Sequence, residues 1–380
     1  VDAQWNGKLN GGELSLGKAV FMAREQARVG GFQPGAGGRV EIGPVKWAPS
    51  STQPIFAPIR FQRAHIHWLG APALKALYPM DFRLNGNVDV MYHPATAGKN
   101  WMLQAQLNSS MDLFQLDNQR YLKKKPPRAL FKVPNLRLEG TLTANSKLVR
   151  TNDLTLILPH SLLRASGKFD FKEGYDLEVF GNNVNLSDLG QLSENEIRGT
   201  GILNARVHGP KRSVIIDLDV NLKDAFYLNL ELGDLKGRLT WDDDPSQFVF
   251  NKIQLAKGVT HSIANGLLDF GNVDNKVDLN IQVLQGNIQD LTQVLDHLIQ
   301  PLSWFPRSLK GPTHGKIKIS GGLEFDKLQI LSKLNGIGWD YGGEKFKTVY
   351  LEGGYDKGKY SLDSFSATKR TGKVSEIGRA

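Results

Sequence analysis

Apolar and polar residues alternate with a period of two along most of this chain. Ile216-x-Leu218-x-Val220-x-Leu222, Phe226-x-Leu228-x-Leu230-x-Leu232, Val277-x-Leu279-x-Ile281-x-Val283 and Leu203-x-Ala205-x-Val207 are typical runs. Side chains alternate between the two faces of a strand, so each run predicts a strand with one apolar and one polar face. Clusters of Gly, Asn and Asp punctuate the runs: Gly181-Asn182-Asn183, Asp242-Asp243-Asp244-Pro245, Gly271-Asn272, Gly342-Gly343 and Gly353-Gly354. Such residues accept the positive φ values of tight hairpin turns, which predicts an antiparallel meander. Helical periodicity is rare. The best stretch runs from Asn287 to Ile299, with Asn287 as cap and Pro301 as stop. A shorter one covers Asn185 to Leu192, Ala73 to Leu77 reads as a single turn, and Gly30 to Gly38 as a flexible loop.

The strand pattern repeats at long range. The block Asn152–Phe171 aligns without a gap on Asn251–Phe270, with Asn152/Asn251, Leu156/Leu255, Ala165/Ala264, Gly167/Gly266, Asp170/Asp269 and Phe171/Phe270 identical. Tyr175-Asp-Leu-Glu-Val179 then matches Val277-Asp-Leu-Asn-Ile281, and Asn185-Leu-Ser-Asp-Leu189 matches Asn287-Ile-Gln-Asp-Leu291. Gly199 to Gly209 matches Gly311 to Gly321, with Thr313 where the first copy has Gly201. The unit is about 100 to 115 residues, far longer than the rung of a parallel β-helix. It divides the chain into an N-terminal β segment, 1–81, two repeat units, 82–198 and 199–310, and an incomplete third, 311–380. Repetition of this kind predicts an elongated all-β protein that works through a surface.

A sheet with one apolar face must cover that face. So few helices leave a second sheet, closure on itself, a solenoid interior or a bound ligand as cover. The residues expected on the covered face are Leu154, Leu156, Leu158, Phe169, Phe171, Leu177, Val179, Leu203, Val207, Ile216, Leu218, Val220, Leu228, Leu230, Leu239, Phe248, Phe250, Ile253, Leu255, Phe270, Leu279, Ile281, Ile317 and Ile319. They line either an ordinary closed core or a groove that takes acyl chains. In the groove reading, Lys168, Lys172, Arg206 and Lys318 stand at a hydrated rim. In one curved sheet, about 25 to 30 strands at about 4.8 Å spacing would span on the order of 120 to 145 Å.

Composition narrows the chemistry. The chain of 380 residues has no cysteine, so it offers no disulfide, thiolate metal site or Cys nucleophile. No run of about eighteen apolar residues suggests a membrane-crossing helix. The net charge is +9, scattered except at Lys123, Lys124, Lys125 and Arg128, which read as a solvated loop. His65-x-His67 reads as two surface histidines rather than a metal site, the acidic run at Asp242 as a hairpin turn, and Trp304-Phe305-Pro306 as packing for the preceding helix. No G-x-S-x-G, H-E-x-x-H or phosphate loop occurs, and no carboxylate pair stands out, so no enzymatic activity, metal or cofactor is expected. The opening VDAQWNGKLNGGEL is already strand-like and the ending EIGRA falls within a pattern, which reads as a fragment of a longer protein with its anchor or signal outside this segment.

The recurring order of a glycine-flanked strand, a hairpin, Asn185-Leu-Ser-Asp-Leu189, Gly199-Thr-Gly201 and Gly209 resembles the AsmA-like superfamily of Gram-negative envelope proteins, of the TamB and YhdP type. The second copy carries it as Asn287-Ile-Gln-Asp-Leu291 with Gly311, Gly315 and Gly321. The resemblance covers about residues 82–380. It implies a strongly curved antiparallel sheet, a β-taco with an apolar concave face, that acts as a bridge-like carrier. The implied function is phospholipid transport through the periplasm between inner and outer membranes, or support of outer-membrane barrel assembly. The implied partners are phospholipid acyl chains and inner- and outer-membrane proteins, with no nucleic acid, and the parent protein would be anchored in the inner membrane. The rival readings are a polysaccharide-binding or adhesive β-solenoid, an outer-membrane barrel and a structural scaffold. Aromatic residues make up 9% of the chain and do not recur at strand ends, which counts against the barrel.

Overall fold

The computed structural model describes residues 2–10, 13–22, 38–48, 52–65, 80–96, 100–117, 129–192, 195–210, 213–227, 230–271, 275–296, 308–369 and 372–376. Within them 23 strands form one antiparallel sheet, accompanied by one short α-helix. The chain splits into two compact units: Val1–Glu194 with Arg206–Val214, and Asn195–Ala205 with Ile215–Ala380.

The first unit starts with β1 (Asp2–Asn10), β2 (Glu13–Met22), β3 (Arg39–Ile42), β4 (Val45–Trp47), β5 (Ile55–His65) and β6 (Met80–His93). It continues through β7 (Met102–Asp117), β8 (Ala129–Ala144), β9 (Leu148–Ile157), β10 (Leu162–Asp170), β11 (Gly174–Asn185) and the two-residue β12 (Gln191–Leu192). From β5 to β11 each strand pairs antiparallel with the next. Strand β13 (Asn195–Gly209) contributes residues to both units. The second unit is an unbroken meander: β14 (Ile215–Tyr227), β15 (Leu230–Asp242), β16 (Gln247–Lys257), β17 (Thr260–Asp269), β18 (Lys276–Asn287), helix α1 (Ile288–Asp296), β19 (Pro312–Gly322), β20 (Leu328–Tyr341), β21 (Glu344–Asp356), β22 (Lys359–Lys369) and β23 (Gly372–Glu376).

The period-two runs form strands as expected, with instructive departures. Phe226 to Leu232 is a hairpin end, not one strand: β14 stops at Tyr227, and Tyr227 pairs with Leu230 across the turn. Gly181-Asn182-Asn183 lies inside β11 and Gly353-Gly354 inside β21, so neither is a turn. Asp242–Pro245 and Gly342-Gly343 do bridge hairpins, the latter with φ of 59° and 89°. Helix α1 is described only to Asp296, and the second helical stretch is a 3-10 turn, Leu186–Leu189, followed at once by β12. Ala73–Leu77, Gly30–Gly37, His67, Lys123–Arg128 and Trp304–Pro306 lie outside the described residues. Among the described residues, no helix is long and apolar enough to cross a membrane.

The glycines within strands make close approaches. A Cβ on Gly266 (φ 140°) would stand 1.9 Å from the Asp278 carbonyl oxygen of the next strand, and one on its repeat mate Gly167 (φ 130°) 2.2 Å from that of Asp176. Glycine alone fits such a backbone.

Candidate apolar trough and its end straps

Residues directly opposite each other in an antiparallel pair point to the same face. In the second unit this rule traces continuous apolar rows. One runs Leu218, Leu239, Phe250, Gly266, Leu279, Ile319, Ile330 and Tyr355, from β14 to β21. Beside it run Ile253, Ala264, Ile281 and Ile317. Ile216, Trp241, Phe248, Leu268 and Val277 form a third row, and Leu222, Leu235, Leu255, Ser262 and Val283 a fourth. The expected residues Ile216, Leu218, Val220, Leu239, Phe248, Phe250, Ile253, Leu255, Leu279, Ile281, Ile317 and Ile319 therefore share one face. Phe270, just past β17, is buried and packs with Trp241 and Phe248.

The first unit gathers its own set. Leu156 pairs with Leu138 and Leu163, Leu154 and Val179 flank Ala165, Leu177 pairs with Gly167, and Phe169 with Tyr175. Leu158 is buried with Val133 and Leu136. Phe171 departs from its expected place: β10 ends at Asp170, so Phe171 sits in the turn, 41% exposed, edge-on to Phe169. Leu203 and Val207 are half-buried on β13, Leu230 lies at the hairpin, and Leu228 is outside the described residues. Pattern reading missed Phe61, Val88 and Ala105 in the first unit, and Ile330, Leu334 and Tyr355 in the second, all buried.

Cover is uneven along the strands. On β18, Val277 and Val283 are 5% and 2% exposed, whereas Leu279 and Ile281 between them are only half-buried. On the repeat-equivalent strand β11, Tyr175, Leu177 and Val179 are half-buried and Gly181 beyond them is buried.

The opposite face is polar. Arg238 donates two hydrogen bonds to Asp219, each 2.9 Å. Lys333 and the Tyr350 hydroxyl donate to Glu352, and these bonds, Lys333 first, hold its carboxyl below the usual range. Lys318, Arg206 and Lys168 lie mid-strand on polar positions, not at a rim; Lys318 approaches Asp278 at 4.0 Å and Arg206 approaches Asp176 at 3.6 Å. Only Lys172 stands at a hairpin end.

The repeated Asn-x-x-Asp motif is a structural strap. Asn185 caps its 3-10 turn by accepting from the Ser187 amide at 3.0 Å. The Asp188 carboxylate, 2% exposed, accepts from the His160 amide at 2.9 Å and the Ser161 hydroxyl at 2.5 Å, and its other oxygen meets His160 Nδ1 at 2.9 Å. In the second copy Asn287 caps α1 through the Gln289 amide at 3.0 Å, and Asp290 accepts from the Val259 amide at 3.1 Å and the Thr260 hydroxyl at 2.8 Å. Each strap ties a helical turn to the hairpin before it. Leu189 and Ile288 then pack on the apolar face of their own unit. Trp339 completes the second plug: it fills the slot left by Gly311 and Gly336, and its Nε1 donates to the Pro312 carbonyl at 2.9 Å. Asp188→Ala leaves the His160 amide without its acceptor and the buried Ser161 hydroxyl with only the Asn185 carbonyl at 3.4 Å. It is expected to cost about 2 to 3 kcal/mol in urea unfolding, and Asp290→Ala, at a half-buried site, less.

The Gly201-to-Thr313 difference also has a structural account. Gly201 has φ 156°, and a Cβ there would meet the Asn221 carbonyl at 2.1 Å; in the second copy Gly315 takes this role, with φ 154° and the Lys333 carbonyl at 2.1 Å. Thr313 is thereby free to be a buried, ordinary strand residue whose hydroxyl donates to the Asn335 carbonyl.

His65 pairs with Asp81 at 2.8 Å beside a pocket of about 530 Å³ in the first unit. Among the described residues, no group of three or more His, Asp or Glu could hold a metal ion. No family model matches the chain, and no curated protein or solved structure matches it significantly.

Proposed function

We propose that the apolar face holds the acyl chains of phospholipids, and that the protein is a non-enzymatic lipid carrier of the AsmA-like type. Its setting is the periplasm of a Gram-negative bacterium, between inner and outer membranes, and its parent chain is anchored in the inner membrane. The observation that carries this reading is the half-buried strand middle: Leu279 and Ile281 on β18, between buried Val277 and Val283, and Leu177 and Val179 on β11, before buried Gly181. Register extends Leu279 back through Gly266, Phe250, Leu239 and Leu218, all half-buried, while Ile319, Ile330 and Tyr355 beyond it are buried. An acyl chain laid on such a row recovers about 0.8 kcal/mol per methylene covered, which suffices to hold lipid without a single specific contact. Movement along the row then needs no catalytic group.

Native mass spectrometry of the protein isolated from a Gram-negative host tests this. Adducts that match phospholipid masses, released as phospholipid on organic extraction, are expected. Protein that is lipid-free after gentle isolation, and stays so when incubated with phospholipid vesicles, defeats the reading.

A further inference from the structure

A second site lies in the first unit, on the polar face of the sheet. The strap around Asp188 closes one side of a surface pocket of about 520 Å³, within the size range of small-molecule sites. His160, Arg164, Phe180, Asn182 and Asn183 line it. Arg164 pairs across the strands with Thr155 on one side and Phe180 on the other, so no carboxylate stands directly opposite its guanidinium. Glu178 is the carboxylate diagonal to it by register, and Arg164 forms no ion pair among the described residues. The Asp188 carboxylate forms its contacts with the His160 amide and ring and the Ser161 hydroxyl, not with Arg164, and is not among the residues that line the pocket.

The His160 ring is thereby fixed at Nδ1, which leaves Nε2 for another partner. Asn182 and Asn183 stand exposed in mid-strand, each with an amide group that donates and accepts. Phe180 is 44% exposed. Phe180 is the direct cross-strand partner of Arg164, so its ring stands beside the guanidinium and the two amides.

We propose that this pocket binds a phosphate group, with Arg164 as the forked donor and the Asn182 and Asn183 amides as further donors. The planar guanidinium matches phosphate oxygens two at a time, which is why arginine suits this ligand. The second repeat supplies an internal contrast. At the aligned positions it has Val259 for His160, Ile263 for Arg164, Gln282 for Phe180 and Leu284-Gln285 for the Asn pair, so the strap is kept and the anion site is not. The pocket is therefore a feature of one copy added to a scaffold that both share.

The source of the phosphate is either a lipid headgroup or a free anion. Phosphorus NMR line broadening reads both: inorganic phosphate as one probe, dihexanoyl phosphatidylglycerol below its micelle concentration as the other. At least one probe is expected to broaden with wild-type protein, and Arg164→Gln is expected to weaken its binding at least about tenfold. Arg164 is exposed, so Arg164→Gln folds normally, which circular dichroism checks. Comparing only the part of each probe's binding that Arg164→Gln removes, tighter binding of the lipid than of inorganic phosphate assigns the pocket to a headgroup, and equal binding assigns it to a free anion. Binding that Arg164→Gln leaves unchanged, or no broadening of either probe, overturns the site. Inorganic phosphate carries no acyl chain, so its result stands whether or not the apolar face holds lipid.

Discussion

Leu279→Asp is expected to strip phospholipid from the isolated protein while leaving a folded chain. Leu279 lies in mid-strand, between Gly266 and Ile319 of the neighbouring strands, and is half-buried. An aspartate there keeps part of its water, so the folding cost is the lost apolar contact, about 1.5 to 3 kcal/mol. The cost to an occupant is larger. An acyl chain pressed on the row would displace water from an unpaired carboxylate, which costs several kcal/mol. At about 1.4 kcal/mol per factor of ten, lipid affinity falls by at least about a hundredfold. Two controls isolate the effect. Asn280→Asp adds the same charge to an exposed position on the other face and leaves bound lipid unchanged. Val283→Asp, at a site 2% exposed, is expected to unfold the unit. Lipid adducts that persist in folded Leu279→Asp, seen by native mass spectrometry, would show that the row is not the binding surface.

Most of this architecture is legible in the sequence because a strand's two faces are a local property. The runs Val277 to Val283 and Ile216 to Leu222 predict their strands, and the structure sets them on one face. Hairpin-connected neighbours then convert each run into a cross-strand row. The failures occur where a local signal has two physical outcomes. Gly-Asn and Gly-Gly pairs serve a turn, as at Gly342, or a close backbone approach within a strand, as at Gly354, where a Cβ would meet the Ile330 carbonyl at 2.2 Å. Only the neighbouring strand decides between them. Rim charges fail for a related reason. Lys318 alternates with Ile317 and Ile319, so it stands on the opposite face from the apolar row rather than beside it. The Asn-x-x-Asp motif was visible as a recurrence. Its work, tying Asp188 to Ser161 and Asp290 to Thr260, spans a hairpin and was not. Bulges escaped altogether. Lys252 takes φ 51°, and its amide is held by Asn265 of the next strand at 2.9 Å, a pairing that no local pattern encodes.

Gly266→Ala is expected to destabilise the protein far more than Gly342→Ala, although both glycines have positive φ. At Gly342 (φ 59°) nothing lies within 4 Å of an added Cβ, so alanine there pays only for the left-handed backbone, about 1 to 2 kcal/mol. At Gly266 (φ 140°) the Cβ would sit 1.9 Å from the Asp278 carbonyl oxygen and 2.9 Å from the Leu279 Cα. Both atoms belong to the backbone of β18, so neither can turn aside as a side chain would. Relief requires β17 and β18 to separate or Gly266 to leave its conformation, and either breaks the ladder between Ala264–Ile281 and Leu268–Val277. The expected loss exceeds about 4 kcal/mol, the range reserved for a few severe mechanisms. Gly266→Val, with a branched side chain at the same backbone, is expected to yield no folded protein. Urea unfolding of the two alanine variants checks the ranking, and near-equal losses would mean that the close approach of β17 to β18 is absent in solution. The same argument applies to Gly167 against the Asp176 carbonyl at 2.2 Å, so Gly167→Ala should match Gly266→Ala and not Gly342→Ala. An approach this close recurs at the same place in both copies. Gly266 sits in the row that holds Leu279 and is its direct cross-strand partner, so a shift of β17 away from β18 would also move the residue proposed to meet lipid.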